Sequence, residues 1–225
     1  MRLLYEPLSV ELDFLKDRII ELVIEDKDYF SQVIFELYDS VGGFSEKWIA
    51  SLDNAPISFR KHVSIVDNLF LFDPGKSRPI QTALTKSILS VAKSSDYIER
   101  GEELVSRVEQ FGLELVDELG FNFEVSPDSI AEIDVLIKAL NLRPFVESDL
   151  LIEKTLASFD VLSSLTDASL FVAINLEQFM ELETMTSFLK ELSYRDYKLL
   201  LLTSGQSDCA VDKRIIVDKS QLVIQ

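Results

Sequence analysis

The sequence predicts an α/β fold with a helical block inserted into it, and three observations carry that reading. Short apolar runs of strand length occur near both ends of the chain, "RIIELVIE" (18–25) early and "SLFVAIN" (169–175) and "YKLLLLTS" late. Such runs suit strands buried on both faces. Between them, from Pro79 onward, apolar residues recur at helical spacing. Only 7 glycines and 6 prolines occur in 225 residues, which argues against a turn-rich all-β fold and against disorder.

The opening "RLLYEP" and "SVELDF" read as two short strands around Pro7. After "RIIELVIE", the segment "KDYFSQVIFELYDSVGG" puts Phe30, Val33, Ile34, Leu37 and Val41 on one helix face, and Gly42-Gly43 ends it. Residues between Gly43 and His62 read as irregular. "HVSIVDN" and "LFLFDP" then read as strands, with "FRKHVSIV" taken as one strand among basic residues. Ile80, Leu84 and Ile88 begin the helical block, and Leu104, Val108, Phe111, Leu115 and Leu119 form a longer stripe. "SPDSIAEIDVLIKALNL" reads as a helix capped by Ser126 with Pro127 at its first position. A fourth helix starts near Ser148. After "SLFVAIN" come a helix with Leu176, Phe179, Met180, Phe188 and Leu192 inward, the strand "YKLLLLTS", and one or two short strands in "RIIVDKSQLVIQ". The division expected is an α/β domain of residues 1–78 plus 166–225 and a helical domain of 79–165.

Gly75-Lys76-Ser77 reproduces the end of a phosphate-binding loop, but Phe70 stands where the loop's first glycine belongs and Pro74 has no N–H to donate. The place for such a loop after the first central strand is "IEDKDYFSQ". It has no glycine and carries Glu25, Asp26 and Asp28, which repel a triphosphate. The acidic strand end that would hold magnesium is Asn175, with Glu177 two residues on. No bound nucleotide and no ATP hydrolysis are expected.

One cysteine, Cys209, and one histidine, His62, exclude an internal disulfide and a Cys/His zinc site. No apolar run reaches membrane-spanning length, and the N-terminus lacks a secretory pattern, so a cytoplasmic location is expected. The net charge of −17 favours solubility and, taken alone, opposes nucleic-acid binding unless the 22 basic residues gather on one surface.

Several stretches together resemble a known family: "IELVIEDKDYFSQVIFELY", "IVDNLFLFD" leading into long helices, "LIKALNL" after an acidic, Phe-rich turn, and "LFVAIN" followed by a helix and "LLLLTS". Their order and spacing are similar to those of the small accessory spacer-acquisition protein of type II-A CRISPR–Cas systems. The resemblance implies a degenerate phosphate-loop-ATPase-like sheet domain with an inserted α-helical domain. It also implies a homotetrameric ring that threads double-stranded DNA ends without reading sequence, stabilised by calcium at acidic sites. Partners would be the CRISPR integrase and the RNA-guided nuclease, in adaptation for antiviral defence, with no chemistry performed by the chain itself.

Under that reading the candidate DNA-binding residues are Arg60, Lys61, Lys76, Arg78, Lys86 and Lys93. Lys86 and Lys93 are seven apart and share a helix face, with Ser90 between them. Each would contact phosphate, adding salt dependence without sequence preference. The stretch 117–129 offers Glu118, Asn122, Glu124 and Asp128 as oxygen ligands for calcium, or as an acidic turn capping the next helix. Two other readings compete. One is a degenerate ATPase-like subunit that binds protein and not DNA. The other is a metal-dependent hydrolase using the 117–128 carboxylates, which lacks a histidine partner and a second acidic cluster.

Overall fold

The computed structural model describes residues 1–66, 73–119, 132–146 and 150–224. Its strands are β1 (Arg2–Tyr5), β2 (Val10–Asp13), β3 (Ile19–Ile24), β4 (Trp48–Leu52), β5 (Ala55–Ile57), β6 (Val63–Val66), β7 (Leu170–Ile174), β8 (Leu199–Thr203), β9 (Lys213–Val217) and β10 (Val223–Ile224). Its helices are α1 (Lys27–Gly42), α2 (Phe59–His62), α3 (Arg78–Ala92), α4 (Ile98–Glu118), α5 (Ile133–Ala139), α6 (Leu151–Leu165) and α7 (Leu182–Tyr194).

The chain forms two compact units: residues 1–72 with 146–225, and residues 73–145. The sequence places these boundaries after 78 and after 165. The main difference is α6, whose apolar face packs in the sheet unit: Phe159 stacks on Phe171 of β7 at 3.9 Å and meets Phe188 of α7 edge-on.

The sheet unit is α/β. Its larger sheet runs β10-β9-β3-β8-β7-β6, parallel throughout except for β10 on β9. All six residues of β3 are buried, as a central parallel strand requires. Ile20, Leu22 and Ile24 share one core with Leu3, Tyr5, Leu12 and Trp48 of a four-stranded antiparallel sheet, order β2-β1-β4-β5, and with Phe30, Val33 and Leu37 of α1.

Two segments depart from the sequence reading. Residues 43–62, read as irregular, include the β4–β5 hairpin. Its two-residue turn is Asp53-Asn54, both at positive φ, the backbone that suits a tight hairpin and that Asn and Asp tolerate. "FRKH", read as strand, is the short helix α2, and the strand begins at Val63. Residues 67–72 of the "LFLFDP" strand, and Ser126 and Pro127, lie outside the described residues.

The second unit holds α3, α4 and α5. Among its described residues only Ile80 is a buried apolar side chain. Its helices are amphipathic, yet α4 and α5 bury no residue. Among the described residues no helix is long and apolar enough to cross a membrane.

Candidate nucleic-acid interface

In open α/β sheets ligands bind outside the carboxyl ends of the strands. At the entry to α1, Asp26 is the helix cap and its carboxylate accepts the Tyr29 N–H at 2.7 Å. An amide that a phosphate would use is thus taken by a carboxylate. At the end of β7, Asn175 adopts a left-handed backbone (φ 48°), and its Oδ1 accepts the Ser204 N–H at 3.1 Å, tying β7 to β8. Glu21 of β3, wholly buried, is ion-paired with Arg214 of β9, and Arg214 also donates to the Ser207 and Cys209 carbonyls. These side chains serve the sheet.

Glu177 is different. Burial pushes its carboxyl above the ordinary glutamate range, with the Glu21 charge adding to the effect. A carboxyl raised in the folded state contributes most below its unfolded pKa, and that contribution is lost as pH rises through the folded value. Glu177→Gln is therefore expected to stabilise the chain at pH 7.5 by a few tenths to about 1 kcal/mol, discounted for partial exposure. The difference from the wild-type chain should vanish near pH 4. Urea midpoints at the two pH values check this.

The Gly75-Lys76-Ser77 segment has a packing explanation. Gly75 lies where a Cβ would sit 2.6 Å from the Pro144 carbonyl oxygen, so a side chain is excluded there. Its N–H donates to Asp73 Oδ1 at 2.9 Å, and its carbonyl accepts Gln81 Nε2 at 2.6 Å, which ties the turn to α3. Lys76 is paired with Asp73 at 3.4 Å.

Beyond this turn, α3 and α5 form a groove of about 480 Å³. Arg78 and Lys86 line it from α3; Lys138 and Asn141 line it from α5 and the turn after it. Among the described residues no carboxylate lines it, in a chain whose net charge is −17. Leu89, Ile137 and Leu142 give it an apolar floor. The Thr82 and Thr85 hydroxyls donate to their own helix, at Arg78 O (2.9 Å) and Gln81 O (2.8 Å), so the three cations carry the groove's charge. Three positive groups on a polar-rimmed cleft are suited to a polyanion, and lysine and arginine stems can lie along the apolar floor.

Of the six basic residues chosen from sequence, this groove brings together Arg78 and Lys86. Lys93 forms an ion pair with Asp134 at 2.8 Å, which holds its ammonium above the ordinary lysine pKa, and it lines a different hollow. Arg60 and Lys61 lie on α2, in the sheet unit. Lys138 and Asn141 were missed. The available signal was the Lys138 position, one turn after Asp134 in "IDVLIKALN", but helix pairing decides which side chains face Lys86. Of the calcium candidates, Glu118 is the last residue of α4, and Asn122, Glu124 and Asp128 lie outside the described residues. Among the described residues no three His, Cys, Asp or Glu side chains gather to hold a metal.

A second exposed surface lies along α4. Leu104, Val108, Phe111, Leu115 and Leu119 occur at 4-3-4-4 spacing and are 41–62% exposed. Such spacing lays an apolar seam along one face of the helix.

The family description "CRISPR-associated protein (Cas_Csn2)" matches residues 60–221. The chain belongs to the Cas_Csn2 family. It is thereby a type II-A CRISPR accessory protein, and its family takes part in CRISPR adaptation. The fold agrees. The crystal structure of Stu0660 of Streptococcus thermophilus superposes with a TM-score of 0.64 at 15% identity, covering 97% of this chain and 74% of that one. At that identity the likeness concerns the fold. No curated protein matches the sequence. The Cas_Csn2 match spans most of α2, the whole helical unit and the strands β6 to β9, so the groove and the α4 seam both fall within it.

Proposed function

We propose that this Cas_Csn2-family chain is a non-catalytic, sequence-independent binder of double-stranded DNA ends that acts as a ring in spacer acquisition. The carrying observation is the α3/α5 groove, where Arg78, Lys86 and Lys138 converge with no carboxylate among the described residues that line it. In a chain of this acidity, such a gathering is the local exception that a polyanion needs. Contacts to phosphate act by counterion release, so they carry affinity and salt dependence without base preference.

The α4 seam supports assembly. A second copy laid along Val108, Phe111 and Leu115 would bury an apolar face that the chain alone leaves in water. Copies joined in this way multiply each basic groove, and a closed homotetramer would surround a duplex. In this reading calcium at the acidic stretch 117–129 steadies the assembly, and the CRISPR integrase and the RNA-guided nuclease are the working partners.

The test compares linear and covalently closed circular duplex DNA in a gel-shift series at low salt, with and without calcium. The linear form is expected to be retained, the closed circle to run free, and cutting the circle to restore binding. Equal retention of both forms overturns threading. If neither is retained, the DNA reading fails and a protein-binding role for this acidic chain takes its place. Cleavage products would overturn the non-catalytic part.

A further inference from the structure

The groove leaves Lys93 without a ligand role, and its surroundings give it another. We propose that Lys93 is a positioning residue: through its ion pair with Asp134 it holds α5 against α3, so that Lys138 faces Arg78 and Lys86 across the groove. This rests on the reading of that groove as the DNA phosphate site.

The register carries the argument. Lys86 lies on α3 and Lys93, seven residues on, caps its C-terminal end, a spacing that keeps the two near one face, and Asp134 and Lys138 are four apart on one face of α5. Lys93 Nζ lies 2.8 Å from Asp134 Oδ1, and the Asp134 side chain is only 21% exposed. The same two faces therefore supply the ion pair at one end and the cationic groove at the other. Lys93 and Asp134 border a separate hollow with Ile98, Val105 and Ile133, so the ammonium does not join the groove.

The need for a tie is also physical. Arg78, Lys86 and Lys138 carry like charge and repel across the cleft while no anion occupies it. The seven-residue α5 has no fully buried side chain: Ile133, Leu136 and Ile137 are half-buried, a modest hold against that repulsion. Its apolar contact at this end is Ile133 beside Gly101 of α4. An opposite-charge pair at the start of α5 counters the repulsion one turn further on.

The alternative, that Lys93 itself contacts phosphate, makes the opposite prediction for Asp134. Fluorescence anisotropy with a linear duplex, titrated at several salt concentrations, separates the two. Lys138→Gln is expected to lower the salt slope by about 0.9 for each phosphate that the lysine neutralises. Lys93→Gln and Asp134→Asn should both weaken binding, by about two- to fivefold, the range of an exposed ion pair. Asp134→Asn should do so although it removes a negative charge. Exchanging the pair, Lys93→Glu with Asp134→Lys, should restore binding to within about twofold of wild type, and Lys93→Arg should stay near wild type. Tighter or unchanged binding by Asp134→Asn, or an exchange no better than Lys93→Gln, overturns the positioning role. If Arg78→Gln and Lys86→Gln leave binding and its salt slope unchanged, the groove reading itself falls. If they weaken binding while Asp134→Asn tightens it, only the present inference falls. Helical circular dichroism of each variant shows whether α3–α5 remain folded, and the Lys93→Arg and exchanged variants keep the test decisive if Lys93→Gln does not.

Discussion

Reversing Arg78, Lys86 and Lys138 together to glutamate is expected to abolish retention of linear duplex DNA, a loss of at least about a hundredfold at 0.1 M salt. Each substitution removes a cation and adds an anion to a cleft that no carboxylate lines among the described residues. If several copies engage one duplex, the loss is multiplied by the number of grooves that engage it, and the salt slope collapses with it. All three side chains are exposed, so the fold should be preserved to within about 0.5 kcal/mol, checked by thermal melting. The matched control reverses Lys16, Lys190 and Lys219, which are exposed in the sheet unit and produce the same change in net charge. Binding by the control variant should fall only modestly. Equal losses in the two triple variants would mean that overall charge governs binding and that the groove has no special part.

The second large effect is expected at α4. If copies join along the α4 seam as proposed, Phe111→Glu with Leu115→Glu should leave single chains of 25.6 kDa in size-exclusion chromatography with light scattering, where the wild-type chain runs as a larger assembly. Each residue is more than half exposed in the chain alone, at 60% and 52%. Covering such a side chain contributes about 1.5–3 kcal/mol at most, and placing an unpaired carboxylate in the contact costs more. In a two-fold contact every substitution counts twice. Because α4 buries no residue, the isolated chain should melt almost as before. Loss of DNA retention together with loss of assembly would link the seam to the proposed ring. An unchanged mass would remove α4 from the interface.

Much of the sheet was legible because its signals are local. β3, β7 and β8 are continuous apolar runs, and a strand buried on both faces has little choice of composition. Helix α1 could be bounded at its far end because Gly42-Gly43 marks it, Gly43 taking the left-handed backbone there; Asp26, read only as a carboxylate that repels phosphate, is its N-terminal cap. The β4–β5 hairpin gives no such signal: β5 is only three residues long, too short to show an alternation, buries none of them and carries Pro56 at its centre, and proline argues against a strand. The four residues of α2 were absorbed into the neighbouring strand for a similar reason: one turn of helix has no period to detect.

The interface was half legible for a different reason. Basic residue type and helix spacing picked out Arg78 and Lys86, but facing partners come from packing between helices distant in sequence. Lys86 and Lys93 look equivalent along α3. Asp134, which lies far beyond both in the chain, separates them by pairing with one and leaving the other to the groove. Spacing along one helix says nothing about which carboxylate will arrive from another.

Strand order in the larger sheet bears on how the chain is made. β6 and β7 are adjacent parallel strands, Val63 beside Leu170, although the whole helical unit is encoded between them, and β3 gains β9 only when the chain is nearly complete. On a ribosome adding roughly 5–20 residues per second, β6 waits several seconds or more for its neighbour to emerge. During that interval its amide edge lies open to other strands. Nascent chains should therefore depend on chaperones until β7, β8 and β9 leave the exit tunnel, and pulse-labelled ribosome-bound fragments ending before β7 should be sensitive to protease where the finished chain is resistant.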